Sequence, residues 1–215
     1  MAGARFEVVR RGNDRRRYLW IHGNEKTAGA LLADHLKSVD GRGFLIQNNE
    51  RNVPIETGKL DPNRMFSRTG AEQNLRKLNP KWAAEDVEAA LKQLDKDREK
   101  FLKRLLPKPG RVLIALHNNS EGYSVQDESP ISDAVSLNNS SHPHEFMLCT
   151  QRTDFEVLAG GPFNVVLQNR APQQDDGSLS RLCATRGLRY VNIEAALGNA
   201  EDQRRMLNWV ENVLV

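Results

Sequence analysis

The stretch RVLIALH, residues 111–117, decides the fold class. From Val112 to Leu116 it is apolar at every position, with no polar alternation, and Pro107 and Pro109-Gly110 bound it upstream. A short continuous run of this kind reads as a strand covered on both faces, which belongs inside a sheet flanked by helices. Upstream, Asn79-Pro80 supplies a capping residue and a first-turn proline. Val87, Leu91, Leu94, Phe101 and Leu105 then recur at helical intervals, predicting one long helix from Asn79 to about residue 106. Downstream, a polar stretch (118–143) precedes a strand at 145–149, a helix near 152–159 and a strand at 163–168. A helix near 177–186, a strand at 188–194 and a terminal helix carrying Met206, Leu207, Val210 and Val213 complete the chain.

Toward the N-terminus, residues 5–10 (FEVVRR) and 17–22 (RYLWIH) read as strands of a hairpin around Gly12-Asn13-Asp14. Glu25 to Lys37 has apolar residues at helical spacing, and 43–47 (GFLIQ) reads as a strand. The segment 48–70 has no clear period and is dense in Asn, Arg, Asp and Glu; a connection of that length points to function or disorder. Strands alternating with helices predict an α/β three-layer sandwich: a mixed, mostly parallel sheet with helices on both faces, in a single domain spanning 1–215.

Composition narrows the function classes. The 215 residues carry 31 basic and 28 acidic side chains, a net +3 too mild to indicate nucleic acid. Arginines 10, 11, 15, 16 and 17 make the first hairpin basic; a solvated edge that discourages strand pairing accounts for them, with a polyanion site as the alternative. No apolar run approaches the roughly 20 residues needed to span a bilayer, so no membrane partner is expected. The start, MAGARFEVVRRG, lacks the apolar stretch of a secretory signal. The cytoplasm is the default expectation, with export possible if a leader has been removed. Cys149 and Cys183 are too few for a disulfide framework and read as two buried thiols or one bridge.

Three strands run out into chemistry-bearing residues: 17–22 into His22, 111–116 into His117, and 188–193 into Glu194. In open α/β sheets functional groups collect beyond the carboxyl ends of strands, so these three share one rim. His22-Gly23-Asn24-Glu25 is an H-x-x-E, which lets a histidine at a strand end and a glutamate in the first helical turn close on one metal ion. Imidazole and carboxylate suit zinc, and a catalytic zinc usually takes three protein ligands plus water; His117 is the third candidate. The alternative for each histidine is a rim residue hydrogen-bonded to backbone.

The segment 48–70 adds Arg51 and the D-x-N-R element Asp61-Pro62-Asn63-Arg64. H-x-x-E, then D-x-N-R, then a strand-ending histidine and a late glutamate resembles the zinc carboxypeptidase superfamily. The order and spacing come nearest its compact aspartoacylase and succinylglutamate desuccinylase branch, over positions 17 to 197. The resemblance implies one Zn²⁺ held by His22, Glu25 and His117. It implies that Asp61 fixes the far nitrogen of His22, that Asn63 and Arg64 hold a substrate carboxylate, and that Arg51 polarises the scissile carbonyl. Glu194 would be the general base; Glu201, inside a helical stretch, is a weaker rival. The implied activity is cleavage of an amide bond in a small carboxylate-bearing peptide or N-acyl amino acid. Two other readings stand beside it: a non-catalytic carboxylate- or peptide-binding domain, and a deacylase or esterase for neutral substrates. The family's substrate-closing tyrosine has no clean match among Tyr18, Tyr123 and Tyr190. His142-Pro143-His144 reads as a loop, His35 as a helix-surface residue, and Asp175 to Ser178 as a turn with a helix cap.

Overall fold

A computed structural model describes residues 1, 3–13, 16–119, 122–170 and 174–215. The order begins β1 (Phe6–Arg11), β2 (Arg17–Trp20), α1 (Lys26–His35), β3 (Gly41–Ile46), β4 (Val53–Ile55) and β5 (Gly58–Leu60). It continues with α2 (Arg68–Leu78), α3 (Ala84–Leu105), β6 (Val112–Asn119), α4 (Val125–Glu128), β7 (Ala134–Ser136) and β8 (Phe146–Cys149). The last elements are α5 (Arg152–Leu158), β9 (Asn164–Leu167), α6 (Leu179–Thr185), β10 (Arg189–Ala196) and α7 (Ala200–Leu214). Eight strands form one sheet in the order β1-β3-β2-β6-β10-β8-β9-β7. Strands β3, β2, β6 and β10 run parallel; β8 and β9 are parallel to each other and antiparallel to β10.

Strand alternation sorts the core into two layers. On one face Leu113 and Ala115 of β6 pack with Leu148, Val166 and Tyr190 against α2, α3 and α6. On the other, Val112, Ile114 and Leu116 pack with Val191 and Ile193 against α1, α5 and α7. Every residue of β6 is buried, as expected of a strand covered on both sides. Cys183 lies in the first layer and Cys149 in the second, so the sheet separates two buried free thiols and no bridge forms. Among the described residues no helix is long and apolar enough to cross a membrane.

Four expectations need correction. The first two strands are not a hairpin: β3 inserts between them, antiparallel to β1 and parallel to β2. A parallel neighbour needs a crossover, and α1 provides it. Asp14 and Arg15 of the expected turn lie outside the described residues. Second, Asn79 does not start a helix; it closes one. Its side-chain Nδ2 donates to the Leu75 and Lys59 carbonyls, fastening the end of α2 to β5. The next helix begins only at Ala84, where Asp86 Oδ2 accepts from the Ala83 N–H at 2.9 Å. Third, 48–70 is not featureless. It holds the β4–β5 pair, a short 3-10 turn (Pro62–Arg64) and the first turn of α2, capped by Ser67 Oγ. Fourth, His35 is buried, edge-on to Tyr18 at 5.4 Å and 3.7 Å from Glu211.

Candidate metal centre and cleft

The site is built where β2, β6 and β10 lie side by side. Just past β2, the chain turns tightly: the Glu25 N–H donates to the His22 carbonyl at 3.1 Å, bringing both side chains to one point. Gly23 lets that turn pack against the Asn48–Asn49 backbone, because a Cβ there would sit 1.8 Å from the Asn48 carbonyl oxygen. His22 Nδ1 lies 2.7 Å from Glu25 Oε1, and His117 Nδ1 lies 3.2 Å from Glu25 Oε2. All three side chains are buried, and one donor atom from each lies within 4.8 Å of the others. His117 is inside β6 rather than beyond it, as Glu194 is inside β10, and the two are register partners.

The far side of His22 is fixed: Nε2 lies 2.8 Å from Asp61 Oδ1. Asp61 is held by its own N–H donating to Asn74 Oδ1 and by accepting from the Asn63 N–H at 2.8 Å. A carboxylate behind an imidazole fixes its orientation and raises its basicity as a ligand. His117 is braced from the backbone, since buried Gln203 donates to its carbonyl at 2.8 Å. Two imidazole nitrogens and a carboxylate oxygen converge at the border of the cleft, a donor set that suits zinc.

Electrostatics follow from this packing. Burial would depress the His22 imidazole, but Glu25 and Asp61 outweigh it and raise its pKa to about 9. Burial would raise Glu25 and Asp61, yet His117 and His22 hold Glu25, and His22 and Arg51 hold Asp61, well below the usual carboxylate range. Glu194 goes the other way: burial is the dominant influence and pushes it up. Asn192 Nδ2 donates to Glu194 Oε1 at 3.0 Å.

The remaining sequence candidates gather at the same cleft, of about 570 Å³. Arg51 is half-exposed and reaches Glu25 Oε1 at 3.2 Å and Asp61 Oδ2 at 3.3 Å. Arg64 pairs with Asp176 at 3.3 Å, while Asn63 Oδ1 accepts from the Leu179 N–H. Gly177, at φ +76°, lets the 175–178 turn lie against the Arg64 carbonyl. Glu201 is exposed on α7 and is not a cleft residue. His144 hydrogen-bonds to the Tyr123 carbonyl, and His142 is exposed; neither joins the metal cluster. Sequence reading did not single out Asn192, Glu128, Gln168 or Arg181, all of which line the cleft. For Asn192 a signal existed: it sits two residues before Glu194 in a strand, hence on the same face.

No family model matches the chain, and no curated protein matches it. Among solved structures, the product-bound ectoine utilization protein EutE (DoeB) from Ruegeria pomeroyi is similar at 14% identity and a TM-score of 0.50, covering 96% of this chain and 58% of that one. A succinylglutamate desuccinylase/aspartoacylase from Rhodobacter sphaeroides matches at 12% identity and TM-score 0.47, over 96% of this chain and 57% of that chain. The murein-tripeptide amidase MpaA from Escherichia coli O157 matches at 13% identity and TM-score 0.48, over 96% and 83%. The chain thus spans 58% of the length of EutE, and the likeness is one of fold.

Proposed function

On the carboxypeptidase-like α/β fold that this chain has, we propose a zinc-dependent hydrolase that cleaves an amide bond in a small substrate bearing a free carboxylate. The observation that carries this reading is the His22–Glu25–His117 convergence with Asp61 behind His22. His22 Nδ1, His117 Nδ1 and a Glu25 carboxylate oxygen would hold the ion. A bound zinc lowers the pKa of a coordinated water toward roughly 7 and polarises a carbonyl.

The protein's own groups account for the rest. Glu194 is buried and shifted upward, the condition for a carboxylate that takes a proton near neutrality and returns it to the leaving nitrogen. Asn192 occupies Oε1, which leaves Oε2 as the oxygen that exchanges the proton. Arg51, beside Glu25 at the cleft wall, supplies positive charge where the scissile carbonyl oxygen becomes anionic. Arg64 offers a planar guanidinium to the substrate carboxylate, in exchange for its exposed pairing with Asp176. Asn63 keeps the turn closed through the Leu179 N–H and lines the same wall.

The test is a panel of N-acyl amino acids and short peptides, assayed before and after chelation, with metal content measured alongside. The reading expects near-stoichiometric zinc, hydrolysis of carboxylate-bearing members, and loss of both in His22→Ala and His117→Ala. Unchanged metal content in those variants would overturn it.

A further inference from the structure

The cleft is not uniform in charge. Its lining includes the guanidinium groups of Arg51, Arg64 and Arg181 and the acceptors Asn192 and Glu128. Register fixes its floor: Asn192 on β10 pairs with Leu148 on β8, and Leu148 pairs with Val166 on β9. Gln168, two residues past Val166, therefore emerges on the same sheet face as Asn192 and Glu194. Over that floor stands Glu128, whose carboxylate accepts from the Tyr123 hydroxyl and from Gln168 Nε2. Tyr123 in turn packs its ring 5.8 Å from that of Phe146, the register partner of Glu194.

Two features of this lining lack a protein counterpart. Asn192 spends its amide N–H on Glu194, and its Oδ1 is buried with no hydrogen-bond partner. Buried polar atoms are almost always paired, so an orphan acceptor lining a cleft marks a place for a donor. Glu128 forms no ion pair among the described residues; its two contacts are to neutral groups, and each oxygen retains a lone pair.

We propose that Asn192 and Glu128 form a specificity subsite for an ammonium-bearing side chain of the substrate, accepted jointly by Asn192 Oδ1 and the Glu128 carboxylate. The preferred substrate then carries its carboxylate toward the arginines and a positive charge toward Glu128. This rests on the proposed hydrolase reading for the position of the scissile bond, but the subsite itself is tested by binding. A donor that is charged makes the stronger hydrogen bond to both acceptors. A carboxylate side chain would face Glu128 and Glu194 as like charges, and an apolar one would leave Asn192 Oδ1 unpaired.

The experiment measures calorimetric binding of L-lysine, L-norleucine and L-glutamate to the purified protein, and hydrolysis of their Nα-acetyl derivatives. Lysine is expected to bind at least about tenfold more tightly than norleucine, the worth of one charge-assisted hydrogen bond, with glutamate weakest. Glu128→Gln should remove the lysine advantage and leave norleucine binding and the melting temperature unchanged. Norleucine or glutamate binding as well as lysine in the wild-type protein overturns the subsite, whether or not the variant folds. So does binding of none of the three, or a lysine preference that survives Glu128→Gln. Lysine selectivity without hydrolysis of any acetyl derivative would leave the subsite standing and remove the hydrolase reading.

Discussion

Glu194 and His117 are register partners on the adjacent parallel strands β10 and β6. The proposed base and one proposed ligand are therefore held side by side by sheet hydrogen bonds, and their separation does not depend on a loop. Glu194→Gln should keep zinc and fold while lowering turnover by roughly 10²–10⁴-fold, the usual worth of a positioned proton-transfer group. Metal content and kcat measured on one preparation decide it; near-normal turnover would assign the base elsewhere.

Asp61 touches His22 Nε2 and would act on a bound metal only through that imidazole. Asp61→Ala is expected to weaken zinc affinity by about 10–100-fold without abolishing it. Competition with a chromophoric chelator reads this directly. Wild-type affinity in the variant would show that His22 needs no support from behind.

Arg51 and Arg64 line one cleft but predict different kinetics. Arg51→Ala should lower kcat by roughly 10²–10³-fold, as expected on losing a group that stabilises developing negative charge. Arg64→Ala should raise KM for carboxylate-bearing substrates and leave amide-capped analogues almost unaffected. Equal effects on both substrate types would remove Arg64 from carboxylate recognition.

Gly23 tests the turn between His22 and Glu25. A methyl group there meets the Asn48 carbonyl, so Gly23→Ala must shift the backbone that spaces the two proposed ligands. The expected outcome is loss of zinc at a stability cost of about 1–3 kcal/mol. Retained zinc with unchanged melting temperature would mean the turn tolerates displacement.

The metal-free protein should show a distinctive pH profile. His22 is raised to about 9 in the folded state, so its contribution is full below its ordinary value of 6.5 and is lost as pH rises through 9. Glu25 and Asp61 are lowered, so theirs is present above the ordinary carboxylate range and lost as pH falls. After chelation, melting temperature should peak between about pH 5 and 6.5 and decline toward pH 9. With zinc bound His22 is a neutral ligand, and the alkaline decline should flatten. Identical profiles with and without chelator would contradict this.

What was legible in the sequence tracks where burial imposes a pattern. The all-apolar run of β6 placed the central strand, and the residues that end three strands placed His22, His117 and Glu194 on one rim. The β1–β2 hairpin was misread because short basic strands carry no record of their partner; only the sheet shows that β3 lies between them. Helix α2 left little trace, since Leu75 is its only large buried apolar side chain and Gly70 and Ala71 supply the rest of its packed face. Asn79 was assigned to the wrong helix because one asparagine can cap either end, and its side-chain bonds to Leu75 and Lys59 are tertiary facts. Asn192, Glu128 and Gln168 come from three separate segments, and they line one cleft through the β10-β8-β9 register and the placement of α4, which no local spacing encodes.

The order β2-β6-β10 also sets a timetable. His22, Glu25 and His117 are brought together as soon as β6 docks against β2, and the Asn118 N–H then reaches Glu25 across 93 residues of chain. Glu194 arrives later, on the strand that covers the other edge of β6. A chain emerging during synthesis would therefore complete the three proposed metal ligands well before the proposed proton-transfer group. The centre would be loaded first and armed last.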